Sequence, residues 1–362
     1  MSLNYAAAGV DTAAGDHAVE LMRAAVAATH TPAVLAGAGG FAGMYDASAL
    51  LAMKRPILAT STDGVGTKIR IAQAMGVHHT IGQDLVAMVV DDLVVSGATP
   101  LFMTDYIACG KVVPERIADI VRGIAEACAA TGTALVGGET AEHPGVMEPD
   151  DYDVAGAATG VVDAEAVLGP HRVADGDRVV ALASSGLHSN GYSLVRRIVE
   201  VSGWALDRDV PEFSRTLGEE LLEPTRLYTR LCLAMLPGVH AFAHVTGGGL
   251  AANLARVVPA GALAVVDRRE IVPPPVFRVL RELGDVTWDD LEGTFNLGVG
   301  MLALVPAEEE ARVIATARDA DVDAWTIGEV RAGATPSNGA TVVSGTKGIT
   351  AGAVALEGNY AG

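Results

Sequence analysis

Apolar residues in the segment PERIADIVRGIAEACAAT recur as Ile117, Ile120, Val121, Ile124 and Cys128, a spacing that gathers them on one face. With Pro114 in the first turn, the pattern predicts a helix starting there. It leads into ALVGG, a short apolar run that reads as a strand carrying Glu139 at its C-terminal end. PILATSTDG and LFMTDY read as strands that deliver Asp63 and Asp105 in the same way. Between those two, TIGQDLVAMVVDDLVVSGA reads as a helix in which Asp84 and Asp91, with Met88 between them, share a face. Asp92 points about 100° away from Asp91.

The texture changes at LGPHRVADGD, where Gly, Pro and Asp cluster before a new strand, RVVALASS. We expect a domain boundary there, giving residues 1–168 and 169–362. In the second half, SSGLHSNGYSLVRRIVE and HVTGGGLAANLARVVP each place a Gly, Ser or Thr loop directly before a helix. Such loops aim backbone N–H groups at an anion, and Arg196, Arg197 and Arg256 would add charge; a tight turn with a helix cap explains either loop alone equally well. Beyond Arg331 the tail is expected to add one strand, TVVSG, and then fray.

A chain of 362 residues exceeds the usual single core, so two domains are expected, and a half-hydrophobic composition excludes disorder. Its 44 acidic against 25 basic residues give a net charge of -19 with no basic stripe, which argues against a nucleic-acid partner. Cys109, Cys128 and Cys232 have neither CxxC spacing nor an even count, so a reducing compartment fits better than a disulfide framework. The N-terminal stretch lacks a signal-peptide pattern and no apolar run approaches membrane-spanning length, so a cytoplasmic protein without a membrane partner is expected.

Candidate chemistry lies in carboxylates set within apolar patterns and beside glycine: Asp63 in TSTDGVGTK, Asp91 and Asp92 in VAMVVDDLVVSG, and Glu139 with Glu142 in LVGGETAEH. One such carboxylate alone would read as a surface charge. Several together, with few Lys or Arg nearby, call for a cation, and hard oxygen ligands beside glycine suit Mg²⁺ carrying nucleotide phosphates. Two other nucleotide motifs bear on this. GAGGFA, from Gly37 to Ala42, satisfies the dinucleotide fingerprint with Asp63 about twenty residues on, which keeps an oxidoreductase open. DGVGTK lacks Walker A spacing, so ATP would need another scaffold.

Taken in order, YAAAGVD, GGFAGMYD, TDGVGTK, IGQDLVAMVVDDLVVSGATPLFMTDY, GGETAEHPGVM, DVAGAATGVV, SSGLHSNGYSLVR, HVTGGGLAANLARVVP and FNLGVGM resemble the phosphoribosylformylglycinamidine cyclo-ligase (aminoimidazole ribonucleotide synthetase) family from about Tyr5 to about Val330. The resemblance implies ATP-dependent closure of formylglycinamidine ribonucleotide to aminoimidazole ribonucleotide, releasing ADP and phosphate, in purine biosynthesis. It implies an α/β fold of two domains, the first forming a β-barrel shared across a homodimer and the second completing the active-site cleft.

Carried over by motif, Asp63, Asp91, Asp92 and Glu139 are the candidate Mg²⁺ ligands, with Asp63, Asp92 and His188 in catalytic roles. The candidate nucleotide and phosphate contacts are Gly39, Gly40, Gly64, Gly66, Thr67, Lys68, Gly137, Gly138, Glu139, Ser189, Asn190, Gly247, Gly248, Gly249 and Asn253. Three positions depart from the family pattern: Asp91 stands where it commonly reads Asn, His143 replaces Met in GGETAEMP, and Arg23 lies where relatives often carry lysine-rich sequence. Formylglycinamidine ribonucleotide synthetase, selenophosphate synthetase and thiamine monophosphate kinase share the acidic ATP-binding elements and are the related alternatives.

Overall fold

The computed structural model describes residues 11–35, 40–345 and 351–360, so Gly39 of the candidate nucleotide loop lies outside the described residues. The chain divides into two compact units: residues up to 94 with 98–166, and 95–97 with 167 onward.

In the first unit, α1 (Thr12–Ala28) opens on Asp11, whose side chain accepts from the Ala14 amide at 3.1 Å. There follow β1 (Pro56–Gly64), α2 (Ile69–Met75), α3 (Thr80–Val94), β2 (Thr99–Cys109), α4 (Pro114–Thr131), β3 (Ala134–Glu142) and β4 (Tyr152–Asp163). The strands form one sheet in the order β1-β4-β2-β3, with β4 antiparallel to both neighbours and β2 parallel to β3. A parallel pair needs a crossover, and α4 supplies it. The sheet forms half of a barrel wall. Met103, Ile107 and Cys109 alternate along β2 as buried residues. Gly82 of α3 and Gly123 of α4 lie where a side chain would collide with the other helix's backbone or its approach, so these helices touch main chain to main chain. The opposite sheet face presents Leu58, Thr60, Thr62, Thr104 and Tyr106, all exposed in this chain.

The second unit contains β5 (Arg178–Ala183), α5 (Tyr192–Ser202), the short β6 (Asp209–Val210) and β7 (Arg215–Thr216), α6 (Leu217–Leu221), α7 (Thr229–Met235), β8 (Ala241–His244), α8 (Gly249–Leu254) and β9 (Ala262–Asp267). It continues through α9 (Pro275–Gly284), α10 (Trp288–Glu292), β10 (Val299–Val305), α11 (Glu310–Asp319), β11 (Ala324–Ala332), β12 (Thr341–Ser344) and β13 (Ala353–Glu357). Its main sheet runs β12-β13-β9-β11-β5-β10-β8. β10 is buried along its whole length, as its unbroken apolar sequence VGMLALV requires.

The C-terminal tail corrects the expectation of one strand followed by fraying. β13 pairs in parallel with β9, burying Val354, Ala355 and Leu356. Arg268 fastens the tail: its guanidinium grips both oxygens of Glu292 at 2.6 and 2.9 Å and donates to the Leu356 carbonyl at 2.8 Å. Tyr360 completes the arrangement by donating to Glu292 at 2.5 Å. Gly, Ser and Thr enrichment between the strands concealed this anchor, whose partners lie far away in sequence.

Candidate functional site

The sheet register of the first unit sets several of the sequence-predicted residues in two adjacent rows, with Asp63 and Glu139 on the opposite edge strands β1 and β3. Asp63 lies opposite Gly156, Gly156 opposite Asp105, and Asp105 opposite Gly138, forming one row across all four strands. The next row runs Gly64, Ala155, Tyr106 and Glu139. Asp63 and Glu139 are exposed, and one Asp63 oxygen accepts from the Gly64 amide at 2.7 Å. On α3, Asp91 is fully buried and Asp92 half-buried.

Lys68 has a different setting from the one its sequence suggested. After Gly66 and Thr67, which are exposed, it turns inward, is fully buried and bonds Asp84 through its ammonium at 2.8 Å. Asp84, one helical face with Asp91, thus has its cation from the same chain.

Beside the second row, a cavity of about 580 Å³ opens between α1, α4 and β3. Val19, Met22 and Val26 of α1, Val121 of α4 and Leu135 of β3 form apolar walls, and Gly137, Gly138 and Glu139 form one side. Three polar residues that sequence reasoning left without a task also line it: Arg23, His30 and Asp105. His30 donates through Nε2 to the Leu135 carbonyl at 3.0 Å. Asp105 is only 9% exposed, and burial pushes its carboxyl up to about 7, opposed by a hydrogen bond from its own backbone N–H. The signal was present in the sequence: Asp105 alternates with Met103 and Ile107 and so shares the apolar face of its strand.

In the second unit the structure brings together both predicted glycine loops. Asn190 accepts from the Gly247 amide at 3.0 Å, tying HSNG to TGGG. Asn253 donates to the Gly249 carbonyl at 2.8 Å and to the Thr246 carbonyl at 3.2 Å, so its amide shapes the loop from within. Gly248 and Gly249 adopt φ of 98° and 74°, a region that glycine enters without steric cost. His188 also has positive φ, 63°, and is 1% exposed. Its Nε2 accepts from the Ser185 amide at 3.2 Å, which in the neutral ring leaves the proton on Nδ1. Ser189, next in the chain, is buried as well.

For a divalent ion, no three His, Cys, Asp or Glu side chains are grouped closely enough to hold one among the described residues. The donor chemistry nevertheless fits Mg²⁺ arriving on a nucleotide, which takes one or two carboxylates besides phosphate and water. The dinucleotide reading of GAGGFA does not fit. Val34 and Tyr45, on either side of it, pair as an antiparallel bridge, and the chain then makes only a short 3₁₀ turn at Ser48–Ala52. A dinucleotide fingerprint requires a strand, a turn and then a helix packed on a parallel sheet.

Residues 45–162 match the family model described as AIR synthase related protein, N-terminal domain, and residues 174–337 match the corresponding C-terminal domain. Among solved structures the chain is similar to thiamine-monophosphate kinase from Stenotrophomonas maltophilia K279a, with a TM-score of 0.67 and 20% identity over 95% of this chain and 97% of that one. It is also similar to the hydrogenase maturation protein HypE in complex with ATP, with a TM-score of 0.57 and 18% identity over 85% of this chain and 84% of that one. These likenesses define the class, a two-domain protein of the AIR synthase type. The chain is 48% identical over 336 residues, 92% of its length and 97% of the relative's, to phosphoribosylformylglycinamidine cyclo-ligase of Geobacillus sp. (strain WCH70). It belongs to the phosphoribosylformylglycinamidine cyclo-ligase family.

Proposed function

We propose that this protein closes the imidazole ring of the purine precursor: with ATP, formylglycinamidine ribonucleotide becomes aminoimidazole ribonucleotide, ADP and phosphate. The near-full-length identity to a cyclo-ligase carries this reading. The formyl oxygen takes the terminal phosphoryl group of ATP, the amidine nitrogen attacks the activated carbon, and phosphate leaves as the ring closes.

The first unit supplies the nucleotide end of this chemistry. The cavity beside Gly137, Gly138 and Glu139 has apolar walls for a base, and exposed carboxylates stand in the adjoining rows of the sheet. Asp63, Asp91, Asp92 and Glu139 are the residues that would hold Mg²⁺; Asp63 on β1 and Glu139 on β3 lie on opposite edge strands of the sheet, so a single ion would take one of these two and not both, neutralising charge that builds on the transferring phosphoryl group. Gly64, Gly66 and Thr67 come just after Asp63 and leave its surroundings open to phosphate. Lys68 acts by holding the β1–α2 turn on α3 through Asp84.

The second unit supplies bound, pre-shaped loops for a phosphate-bearing ligand: Ser189 and Asn190 from one, Gly247, Gly248 and Gly249 from the other, with Asn253 as their brace. His188, whose Nε2 is engaged by the Ser185 amide, is the candidate proton donor to the formyl oxygen.

The exposed sheet face with Leu58 and Tyr106 supports a homodimer in which two such sheets close one barrel. No helix among the described residues is long and apolar enough to cross a membrane. Three buried free cysteines suit a reducing, cytoplasmic setting.

Purified protein given formylglycinamidine ribonucleotide, ATP and Mg²⁺ should form ADP and the aminoimidazole product in equal amounts. ADP release that ignores the ribonucleotide would contradict the proposal.

A further inference from the structure

We propose that Asp105 reads the base of the nucleotide, its carboxyl accepting a hydrogen bond from the 6-amino group of adenine and so selecting ATP over GTP. This rests on the nucleotide occupying the cavity of the first unit, as proposed above.

The observation behind it is a polar group buried where nothing matches it. Asp105 lines the cavity at 9% exposure, and its carboxyl receives a hydrogen bond from its own backbone N–H without a side-chain partner among the described residues. Two other buried charges are matched within the chain: Lys68 has Asp84, and Arg268 has Glu292 with Tyr360. A largely buried carboxyl whose one partner among the described residues is its own backbone N–H costs free energy, which a ligand donor recovers.

The surroundings narrow the ligand. Met22, Val26, Val121 and Leu135 offer apolar contact suited to a flat ring. Gly138 stands across from Asp105 in the sheet, and a Cβ there would collide with the Asp105 carboxyl oxygen, so glycine at this position leaves that group its room. Adenine presents an amine donor at its 6-position, where guanine carries a carbonyl oxygen. Facing the Asp105 oxygen, the first makes a hydrogen bond and the second sets two acceptors against each other.

The test is steady-state kinetics of the full chain with ATP and GTP, comparing wild type, Asp105→Asn and Val26→Trp. Asparagine keeps the shape but can turn either its oxygen or its amine toward the base. The expected result for Asp105→Asn is an ATP KM raised about tenfold, the preference for ATP over GTP lowered at least about tenfold, and kcat at saturating ATP little changed. An unchanged ATP-to-GTP ratio would overturn the assignment, and so would an effect that falls on the KM of the ribonucleotide instead. Val26→Trp, or Met22→Trp should the first not fold, fills the cavity and separates the two levels. If it removes ATP binding while Asp105→Asn leaves the ratio intact, only the role of Asp105 fails. If it leaves the ATP KM unchanged, the placement of the nucleotide fails as well.

Discussion

The two units treat their polar groups in opposite ways. In the second, the two glycine loops are braced from within: Asn190 takes the Gly247 amide, Asn253 holds the Thr246 and Gly249 carbonyls, and His188 receives the Ser185 amide. In the first, Asp63 and Glu139 stand exposed, and Asp105 is buried in a cavity wall without a side-chain partner among the described residues. A loop braced by its own side chains presents fixed geometry to a ligand. Under the proposed function, exposed carboxylates and a buried acid would instead be completed by the cation and base that bind them. Under that function, the difference teaches that the loops of the second unit are ordered before binding, whereas the electrostatic cost in the first would be relieved by binding.

Breaking the matched pair in the first unit should have the largest effect on folding. Lys68→Met strands Asp84 as a buried, uncompensated charge, and an expected loss of about 3–5 kcal/mol would appear in denaturant unfolding. Adding Asp84→Leu should recover much of it; failure to recover would mean that the pair is not the cause. Asp63→Asn should do the reverse, lowering kcat about 10²–10³-fold while leaving the unfolding midpoint unchanged, because this side chain is exposed. A collapsed melt would make Asp63 structural.

A pH comparison sharpens the contrast at Asp105. Its carboxyl is raised from 3.8 to about 7 in the folded protein, so the folded state holds a proton that the unfolded chain has already released within that window. The stability tied to this proton is therefore fully present below pH 3.8 and is lost as pH rises toward 7. Melting temperatures of wild type and Asp105→Asn should diverge over that range, with wild type gaining on the variant as pH falls; parallel curves would contradict the burial of this group. The smallest effect is expected at the loop link of the second unit. Asn190→Ala removes one hydrogen bond to Gly247, worth about 1 kcal/mol, and should raise a substrate KM severalfold with little change in stability.

Much of this contrast was legible in the sequence, and unevenly. The helix from Pro114 and the strand carrying Asp105 are dictated by apolar spacing, since each buries one face, while the helix over Thr80–Val94 is apolar enough to be buried nearly all round. The loops of the second unit could be recognised as short glycine-rich turns before helices, because local backbone needs dictate them. The hidden part depends on side-chain direction and distant partners. Nothing near Lys68 announces that its ammonium turns inward to Asp84, nor does the small-residue tail reveal that Arg268, Glu292 and Tyr360 will hold it. The cavity needed α1, α4 and β3 in place before Arg23, His30 and Asp105 could be seen to line it.

The most direct measurement is a crystal structure of the full chain with Mg²⁺ and a non-hydrolysable ATP analogue. The account predicts the adenine within the cavity of the first unit against Asp105, and the ion between the phosphates and one or more of Asp63, Asp92 and Glu139. A triphosphate bound away from those three carboxylates, with the cavity empty, would contradict it.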